Sequence, residues 1–299
     1  MSSFTIGVDL GGTNIRVALV DESGTILREV EERTEAEKGS DYVIGKMTRM
    51  ICEIKGNVEV LGIGIGAPGP LDPFTGIILS PPNLPGWTEV PLVEKVKNAT
   101  GLPVTLDNDA NAAALAEAKW GAGADCSSVF YITVSTGIGG GFVIDGELFQ
   151  GAQGYSGEIG NMIVSPNGKT HSNLNPGALE ALASGTAISR EGKTRLGVSG
   201  GAEEVFLLAD KGNRIAQAII DEALNYLAIG IANLSHAINP EIFVLGGGVM
   251  KSEQQVLQPL RGKVKNFLYP GLQDCMKIER AALHTKAGVI GAACLVRFK

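Results

Sequence analysis

A short segment near the start of the chain joins an acidic side chain to a glycine turn. Residues 9–14 read DLGGTN, and Asp9 ends an alternating apolar run that is typical of a strand. Two adjacent glycines let backbone N–H groups approach a phosphate, because no Cβ stands in the way. The Asp9 carboxylate could hold Mg²⁺ directly or through water. The alternative is a plain tight turn, since a helix does not follow and the Gly-Lys-Ser/Thr ending of a P-loop is missing.

Two further glycine runs follow apolar strands. Residues 135–141 read STGIGGG, and residues 246–248 read GGG. A unit of strand, glycine turn, strand, acidic hairpin and strand begins near residue 4 and again near residue 128, which suggests two related sheets. Two such turns could grip a polyphosphate from opposite sides, and the third run could let an adenine ring approach. A chance similarity of two hairpins is the alternative.

The elements predicted around these motifs form an α/β set. Apolar alternation and helical spacing predict them directly. Strands are expected over 4–9, 15–20, 25–31, 58–65, 104–106, 128–134, 139–144, 147–149 and 241–245, and helices over 41–55, 92–99, up to about residue 120 after the Asp107-Asn108-Asp109 run, 213–238 and 287–298.

Composition excludes several classes of protein. The chain has 299 residues with 44% apolar and 19% charged side chains, which argues against disorder and suggests about two domains or one large α/β unit. Its net charge of -7 argues against a nucleic-acid-binding surface. No apolar run approaches the length of a membrane span, and residues 1–10 lack the features of a signal peptide. We therefore expect a cytoplasmic protein without membrane or nucleic-acid partners.

The four cysteines are scattered and form no Cys-x-x-Cys pair. We expect Cys52, Cys126, Cys275 and Cys294 to be buried thiols rather than disulfides or metal ligands.

The motifs together resemble the ROK (repressor, open reading frame, kinase) family of sugar kinases. The matching segments are 9–14, 107–113 (DNDANAA), 135–141, 158–160 (EIG), 177–185 (GALEALASG) and 284–292, in order along the whole chain. The resemblance implies the two-lobed actin/hexokinase/Hsp70-type α/β fold, which is ribonuclease H-like and has a duplicated sheet unit. It also implies phosphoryl transfer from ATP to a hexose hydroxyl in a cleft between the lobes.

Roles for individual residues follow from this resemblance. Asp109 matches the catalytic base, and the sugar-binding positions match Gly69, Asn108, Asp109, Glu158 and Glu180. ATP and Mg²⁺ are the implied cofactors, with Asp9 as the residue for magnesium. The nucleotide-binding residues are Asp9, Gly11, Gly12, Thr13, Asn14, Thr136, Gly137, Gly139, Gly140, Gly247 and Gly248.

The chemistry of Asp109 agrees with this role. A sugar hydroxyl is a poor nucleophile, and an ordinary aspartate has a pKa of about 4, too low to deprotonate the hydroxyl in advance. Asp109 should therefore take the proton late, while orienting the oxygen in line with the γ-phosphate. The alternative is a helix N-cap, because Asp109 stands before an Ala-rich stretch.

One feature of the family is missing here. Typical members carry a structural zinc near the sugar, and its ligand positions read Asn161, His171, Asn173 and Ala178 in this chain. A structural zinc needs about four nitrogen or sulfur ligands, so we predict no zinc site. Ordinary packing, or Pro166 and Pro176, must then hold the 165–178 loop, and His171 should be a surface residue.

The family's zinc-bound histidine also touches the sugar, and Asn161 takes its place. The Asn161 amide keeps both a donor and an acceptor, so we expect it to meet a sugar hydroxyl.

The leading hypothesis is a kinase acting on the 6-hydroxyl of glucose, because Asn83-Leu84 and Gly86-Trp87 resemble glucose-type members. Other hexoses, amino sugars such as N-acetylmannosamine, or fructose remain open. A catalytically silent sugar-binding protein is a second hypothesis. The family's repressor branch is a third, although only eight residues precede Asp9 and the chain is acidic.

The expected domain division is a small lobe over 1–110, with the helix 287–299 packing back onto it, and a large lobe over 111–286. Resemblance to the family suggests a homodimer.

Overall fold

The computed structural model describes residues 3–168 and 170–298. Its strands are β1 (Phe4–Leu10), β2 (Asn14–Val20), β3 (Ile26–Arg33), β4 (Val60–Ala67), β5 (Leu71–Asp72), β6 (Ile77–Ile78), β7 (Val104–Asn108), β8 (Ser128–Val134), β9 (Ile138–Ile144), β10 (Glu147–Leu148), β11 (Ile242–Gly246) and β12 (Lys277–Arg280). Its α-helices are α1 (Ser40–Lys55), α2 (Leu92–Thr100), α3 (Asp109–Trp120), α4 (Leu179–Ala183), α5 (Gly185–Leu196), α6 (Gly201–Asp210), α7 (Arg214–Ala237), α8 (Glu253–Lys265) and α9 (Ala287–Phe298).

The chain divides into two compact units. Unit 1 comprises Met1–Ser127, Gly141–Ser156 and Leu283–Lys299, and unit 2 comprises Ser128–Gly140 and Gly157–Ala282. The expected division near residue 110 lies at the start of α3, whereas α3 groups with unit 1. The reason is packing, because α3 lies against α9 and β4 of the same unit.

Unit 1 is built on a five-stranded sheet in the order β3-β2-β1-β4-β7. The hairpin strands β1, β2 and β3 run antiparallel, and β4 and β7 continue the sheet in parallel with β1. The buried face of α1, which carries Val43, Met47 and Ile51, joins the apolar cluster beneath this sheet. The parallel half brings the carboxyl ends of β1, β4 and β7 to one edge, which is where open α/β sheets place their ligands.

Glycines in the sheet allow α9 to approach closely. A Cβ at Gly64 of β4 would overlap the backbone carbonyl of Ala292, and one at Gly7 of β1 would overlap that of Val289. Helix α9 therefore packs its backbone directly on β1 and β4, and no side chain at these two positions could be accommodated without moving the helix.

Unit 2 repeats the same arrangement. Strand β8 runs parallel to β11, and β11 runs parallel to β12, so that Ile242 pairs with both Val129 and Lys277. Strand β9 follows β8 in the sheet, crosses from unit 2 into unit 1, and pairs there with β10 around the Asp145-Gly146 turn. The two related sheets expected from the repeated sequence pattern are thus present in the fold.

Helix α7 is the long core helix of unit 2. Its buried side chains face α4, α5, α6 and α8. Among the described residues it is the one helix long and apolar enough to cross a membrane, a criterion that buried core helices also meet. Just over half of its apolar window, 56%, is buried inside the protein.

The expectation of buried thiols is confirmed for Cys294 and is wrong for the other three. Cys52 and Cys275 are exposed, and Cys126 is half-buried. Cys52 lies on the solvent side of α1, and burial within α9 raises the pKa of the Cys294 thiol.

The close approach of α9 generates a stability prediction. Gly64→Ala should lower the free energy of unfolding by about 1–3 kcal/mol, because overpacking forces the helix away from the sheet. Gly45→Ala is the control, since Gly45 lies in α1 with nothing within 4 Å of an added Cβ. The control should raise the free energy of unfolding by about 0.5–1 kcal/mol. Urea unfolding followed by circular dichroism measures both changes, and equal effects of the two variants would contradict the proposed packing.

Candidate functional site

The glycine turn after β1 is held by backbone and threonine contacts within unit 1. The Gly11 N–H donates to the Asn14 carbonyl at 2.9 Å, and the Thr34 hydroxyl donates to the Gly11 carbonyl at 2.6 Å. The Thr34 N–H donates to the Thr13 carbonyl at 2.8 Å, and Thr34 is fully buried. The turn therefore has a defined shape before any ligand arrives.

Asp9 lies at the end of β1, partly buried beside the start of α9. A Cβ on Gly288 would stand 2.8 Å from Asp9 Oδ2. Burial raises the pKa of Asp9 above its ordinary value, the Arg16 charge opposes this, and the Glu31 charge adds to it. A carboxylate is the donor that Mg²⁺ takes, and a bound cation would offset the cost of burying this charge, so the residue fits the expected ion.

The side chain of Asn14 is engaged elsewhere. Its amide donates to Glu31 at 2.6 Å, and Arg16 pairs with the other oxygen of Glu31 at 2.8 Å. Any contribution of residue 14 to phosphate binding therefore comes more readily from its backbone than from its amide.

Asp109 stands where β7 passes directly into α3. Asn108 is the N-cap of the helix, because its side-chain oxygen accepts from the Ala110 N–H at 2.8 Å. Asp109 is the first helical residue, and its Oδ1 accepts from the same N–H at 2.7 Å. The capping alternative considered for Asp109 thus belongs to Asn108. The Asp109 residue itself is exposed rather than packed into the interior.

Gly69 lies in unit 1 beyond the end of β4, the strand next to β7. It is half-buried and precedes Pro70 in a cis peptide bond.

In unit 2 the Ser135–Gly137 turn is tied to the start of α5. The Ser135 N–H donates to the Gly137 carbonyl at 2.9 Å, and the Gly185 N–H donates to the Ser135 carbonyl at 2.8 Å. Ser184 caps α5 by accepting from the Ala187 N–H at 3.1 Å. The turn therefore lies at the N-terminus of α5, where backbone N–H groups favour anions. Gly139 and Gly140 follow the turn in β9.

Glu180 closes the other side of this turn. Its Oε2 accepts from the Ile138 N–H at 2.8 Å, and a Cβ on Gly137 would collide with the same carboxylate. A side chain at position 137 would therefore require the Glu180 carboxylate to move.

Glu158 is exposed as a residue, yet its carboxyl is partly desolvated by its surroundings. This desolvation raises the pKa of Glu158, and the nearby charge of Glu180 raises it further. The two carboxylates that the sequence singled out are thus close enough to influence each other. Such a pair suits a neutral polyol, whose hydroxyls donate hydrogen bonds to both.

Asn161 holds the 165–178 loop. Its Oδ1 accepts from the Asn175 N–H at 2.7 Å, and the Gly177 carbonyl accepts from the N–H groups of Val164 and Ser165 at 3.0 and 3.3 Å. Neither Pro166 nor Pro176 makes these contacts. The amide expected to meet the sugar therefore has a structural partner on its oxygen.

His171 is half-buried rather than fully at the surface. Within 3–168 and 170–298 there is no group of three or more His, Cys, Asp and Glu side chains that could hold a metal. The absence of zinc stays a prediction.

A cavity of about 480 Å³ opens in unit 2 beside the Ser135–Thr136 turn. One wall is the start of α5, a second is Gly248 and the residues after it, and a third is α6 with Phe206 and Leu207. Gly247 lies next to this cavity at a φ of 91°. The lining mixes apolar side chains such as Phe206, Leu207 and Val249 with polar and charged ones, which suits a ligand that combines a flat ring with polar groups.

Several lining residues of this cavity were missed from sequence. Glu203 and Asp210 of α6, Lys251 and Gln255 face the cavity, although no motif marks them. The sequence offered no signal for Glu203 and Asp210, because nothing local to α6 indicates that this helix lies near the distant 246–248 segment.

The two related sheets and their helices define an α/β protein of the actin/hexokinase-like class. The model of the ROK family matches residues 5–299, and the chain belongs to this family.

Relatives and solved structures agree with this assignment. The glucokinase of Thermotoga maritima is 38% identical over 306 residues, spanning 98% of this chain and 96% of that protein. The ROK hexokinase of Thermus thermophilus superposes with a TM-score of 0.86 at 35% identity, covering 99% of this chain and 97% of that one. A ROK family glucokinase from Streptomyces griseus, solved with glucose and AMPPNP, gives a TM-score of 0.84 at 33% identity, with 99% of each chain covered.

The contact between Asn161 and Asn175 generates a prediction about the loop. Asn161→Ala should increase deuterium uptake at residues 174–177, because the Asn175 N–H loses its acceptor, and it should raise the KM for the sugar. Asn173→Ala, an exposed change in the same loop, is the control and should leave both unchanged. Hydrogen exchange with mass spectrometry reads the first effect, and uptake equal to that of the unaltered protein would contradict the assigned role.

Proposed function

We propose that this protein is an ATP-dependent hexose kinase that phosphorylates the 6-hydroxyl of glucose. The observation that carries the proposal is the exposed Asp109 carboxylate at the loop-free junction of β7 and α3. Membership of the ROK family and the 38% identity to a glucokinase support the reaction and the sugar.

Asp109 would act as the proton acceptor. The helix backbone orients its carboxylate through the Ala110 N–H, which leaves a positioned acceptor for a sugar hydroxyl. The proton moves to Asp109 as the sugar oxygen bonds to the γ-phosphorus and the bond from that phosphorus to the bridging oxygen of the leaving ADP breaks, because the hydroxyl becomes acidic only then. Holding the oxygen in line is itself a large part of the rate, since positioning can supply several kcal/mol.

The sugar would be held by hydrogen bonds rather than by apolar contact. We assign acceptor roles to Glu158 and Glu180 and a donor role to the Asn108 amide nitrogen, which makes no hydrogen bond within the described part of the chain. Gly69 permits a close backbone approach. Asn161 can offer its amide nitrogen while its oxygen stays on Asn175.

The nucleotide would be held by backbone groups and by the cavity of unit 2. The turns at 11–14 and 135–137 and the glycines 139 and 140 would contact the phosphates, and Gly247 and Gly248 would border the nucleoside. Magnesium at Asp9 would neutralise charge on the phosphates when bound. Glu203 and Asp210 can accept hydrogen bonds from ribose hydroxyls or an exocyclic amine.

Fructose, N-acetylmannosamine and other hexoses are the competing acceptors, and a panel of sugars in an ADP-release assay separates them. We further propose a cytoplasmic homodimer, which light scattering of the purified protein would test.

The role of Asp109 generates a prediction on turnover. Asp109→Asn should lower kcat by about 10²–10⁴-fold, because the proton acceptor is lost, while glucose binding persists. Asp125→Asn, an exposed aspartate of unit 1, is the control and should leave kcat unchanged. Coupled ADP release measures kcat, and calorimetry measures glucose binding. Sugar binding without sugar-dependent ADP release in the unaltered protein would identify a catalytically silent sensor.

The raised pKa of Glu158 generates a prediction on pH. As the pH falls, Glu158 should take up its proton at a higher pH than an ordinary glutamate, because burial and Glu180 favour the neutral form. The KM for glucose should therefore rise on acidification before ordinary carboxylates titrate. Glu158→Gln should raise the KM at neutral pH and remove this dependence, whereas the exposed control Glu147→Gln should keep it. An unchanged pH profile in Glu158→Gln would exclude the assignment.

A further inference from the structure

A buried carboxylate lies two residues before Asp109 and has no role in the mechanism above. Asp107 ends β7 and is 0% exposed. Its Oδ1 accepts from the Asn108 N–H and from the Asn111 side-chain amide, both at 2.8 Å. Its Oδ2 accepts from the Gln150 side-chain amide at 2.6 Å. Burying a charge is unfavourable unless donors surround it, and here three donors do so.

Two of these donors lie on either side of Asp109. The Asn108 N–H belongs to the residue before it, and Asn111 lies two residues after it in the first turn of α3. A single buried carboxylate thereby ties the end of the strand to the start of the helix. The orientation of the Asp109 backbone, and with it the direction of its side chain, follows from this attachment.

The network is not optimised for stability. Asn111 is 1% exposed, and its Oδ1 has no hydrogen-bond partner among the described residues. A buried acceptor without a donor is unfavourable, and an apolar side chain would avoid this cost. The carboxylate and amide are therefore better explained by what they orient than by the stability they add.

The third donor connects a second segment to the same strand end. Gln150 follows β10, and its carbonyl accepts from the Ser156 N–H at 3.0 Å, so residues 150–156 form a closed loop anchored at Asp107. Glu158 follows this loop by two residues in the sequence.

We propose that Asp107 and Gln150 are a pair of positioning residues that set the direction of Asp109 and anchor the 150–156 loop. This inference rests on the proposed function, because Asp109 must be the proton acceptor for its direction to matter. Neither residue contacts the reacting atoms in this account.

The test is a reciprocal exchange of the pair, read as kcat per folded enzyme together with the KM values. Gln150→Glu places two carboxylates face to face and should lower kcat by about 10- to 100-fold, because small displacements of a catalytic group have effects of this size. Asp107→Asn should have a smaller effect, since the Gln150 amide can turn to present its oxygen. The double variant Asp107→Asn with Gln150→Glu restores all three hydrogen bonds and should recover kcat to within about threefold of the unaltered enzyme.

The controls separate positioning from folding. The KM for ATP should change little in each variant. Gln150→Glu should also lower the thermal midpoint, because it adds a second carboxylate beside a buried one, so the readout is kcat per folded molecule, which a purely structural role would leave unchanged. If Gln150→Glu does not fold, Gln150→Ala tests the same hydrogen bond in a half-buried side chain. Gln153→Ala, an exposed glutamine of the same loop, should behave like the unaltered enzyme.

The possible results are distinct. A kcat within twofold of the unaltered value in folded Gln150→Glu, or in Gln150→Ala where that variant replaces it, would overturn the inference while Asp109→Asn still abolishes turnover. A double variant no faster than Gln150→Glu would also overturn it. If Asp109→Asn retains turnover, the proposed function fails at that residue and the positioning inference falls with it.

Discussion

The constraint on which unit 1 depends is the direct passage of a buried strand into a helix. No loop separates β7 from α3, so the last strand residues and the first helical residues share one short stretch of backbone. Asn108 caps the helix, Asp107 satisfies the Asn108 N–H from within the core, and Asp109 is left at the surface of the first turn. Asp107 and Asn108 each have hydrogen-bond partners that fix their positions. The exposed Asp109 carboxylate acquires a defined direction because its backbone continues directly from them.

In unit 2 the shape of the Ser135–Gly137 turn is fixed by a side chain rather than by a strand end. The turn after β8 is closed on one side by the start of α5 and on the other by the Glu180 carboxylate at the Ile138 N–H. A residue expected to bind sugar hydroxyls is thus also part of the wall of a turn expected to bind phosphate. Because Gly137 leaves room for that carboxylate, the glycine is explained by a neighbour as much as by a ligand.

Local pattern predicted most elements of unit 1 and the first hairpin and long helix of unit 2, but not α4, α5, α6, α8 or β12. Strand 128–134 and helix 287–298 were predicted with their observed bounds, and the repeated hairpin unit correctly predicted two related sheets. Such elements are determined by apolar periodicity within a short window. The membership of α3 was not predictable in this way, because it depends on packing against α9, a helix far away in sequence.

The candidate site was predictable only in part, for the same reason. The glycine runs, Asp109 and the acidic pair Glu158 and Glu180 were chosen by residue type and by resemblance, and their structural roles remain proposals apart from the contacts described. The burial of Cys52 and Cys275 was predicted wrongly, since residue type states a tendency and the helix face or loop decides exposure.

The sequence alone determined the class of the chain, its two sheets and the short list of groups able to do chemistry, because these follow from periodicity and from motifs of adjacent residues. Only the tertiary structure decided that Asn108 rather than Asp109 caps α3, that Asn161 holds Asn175, and that Gln150 reaches Asp107. Each of these depends on a hydrogen bond whose geometry is set by where the backbone folds, and residue type alone does not specify that geometry.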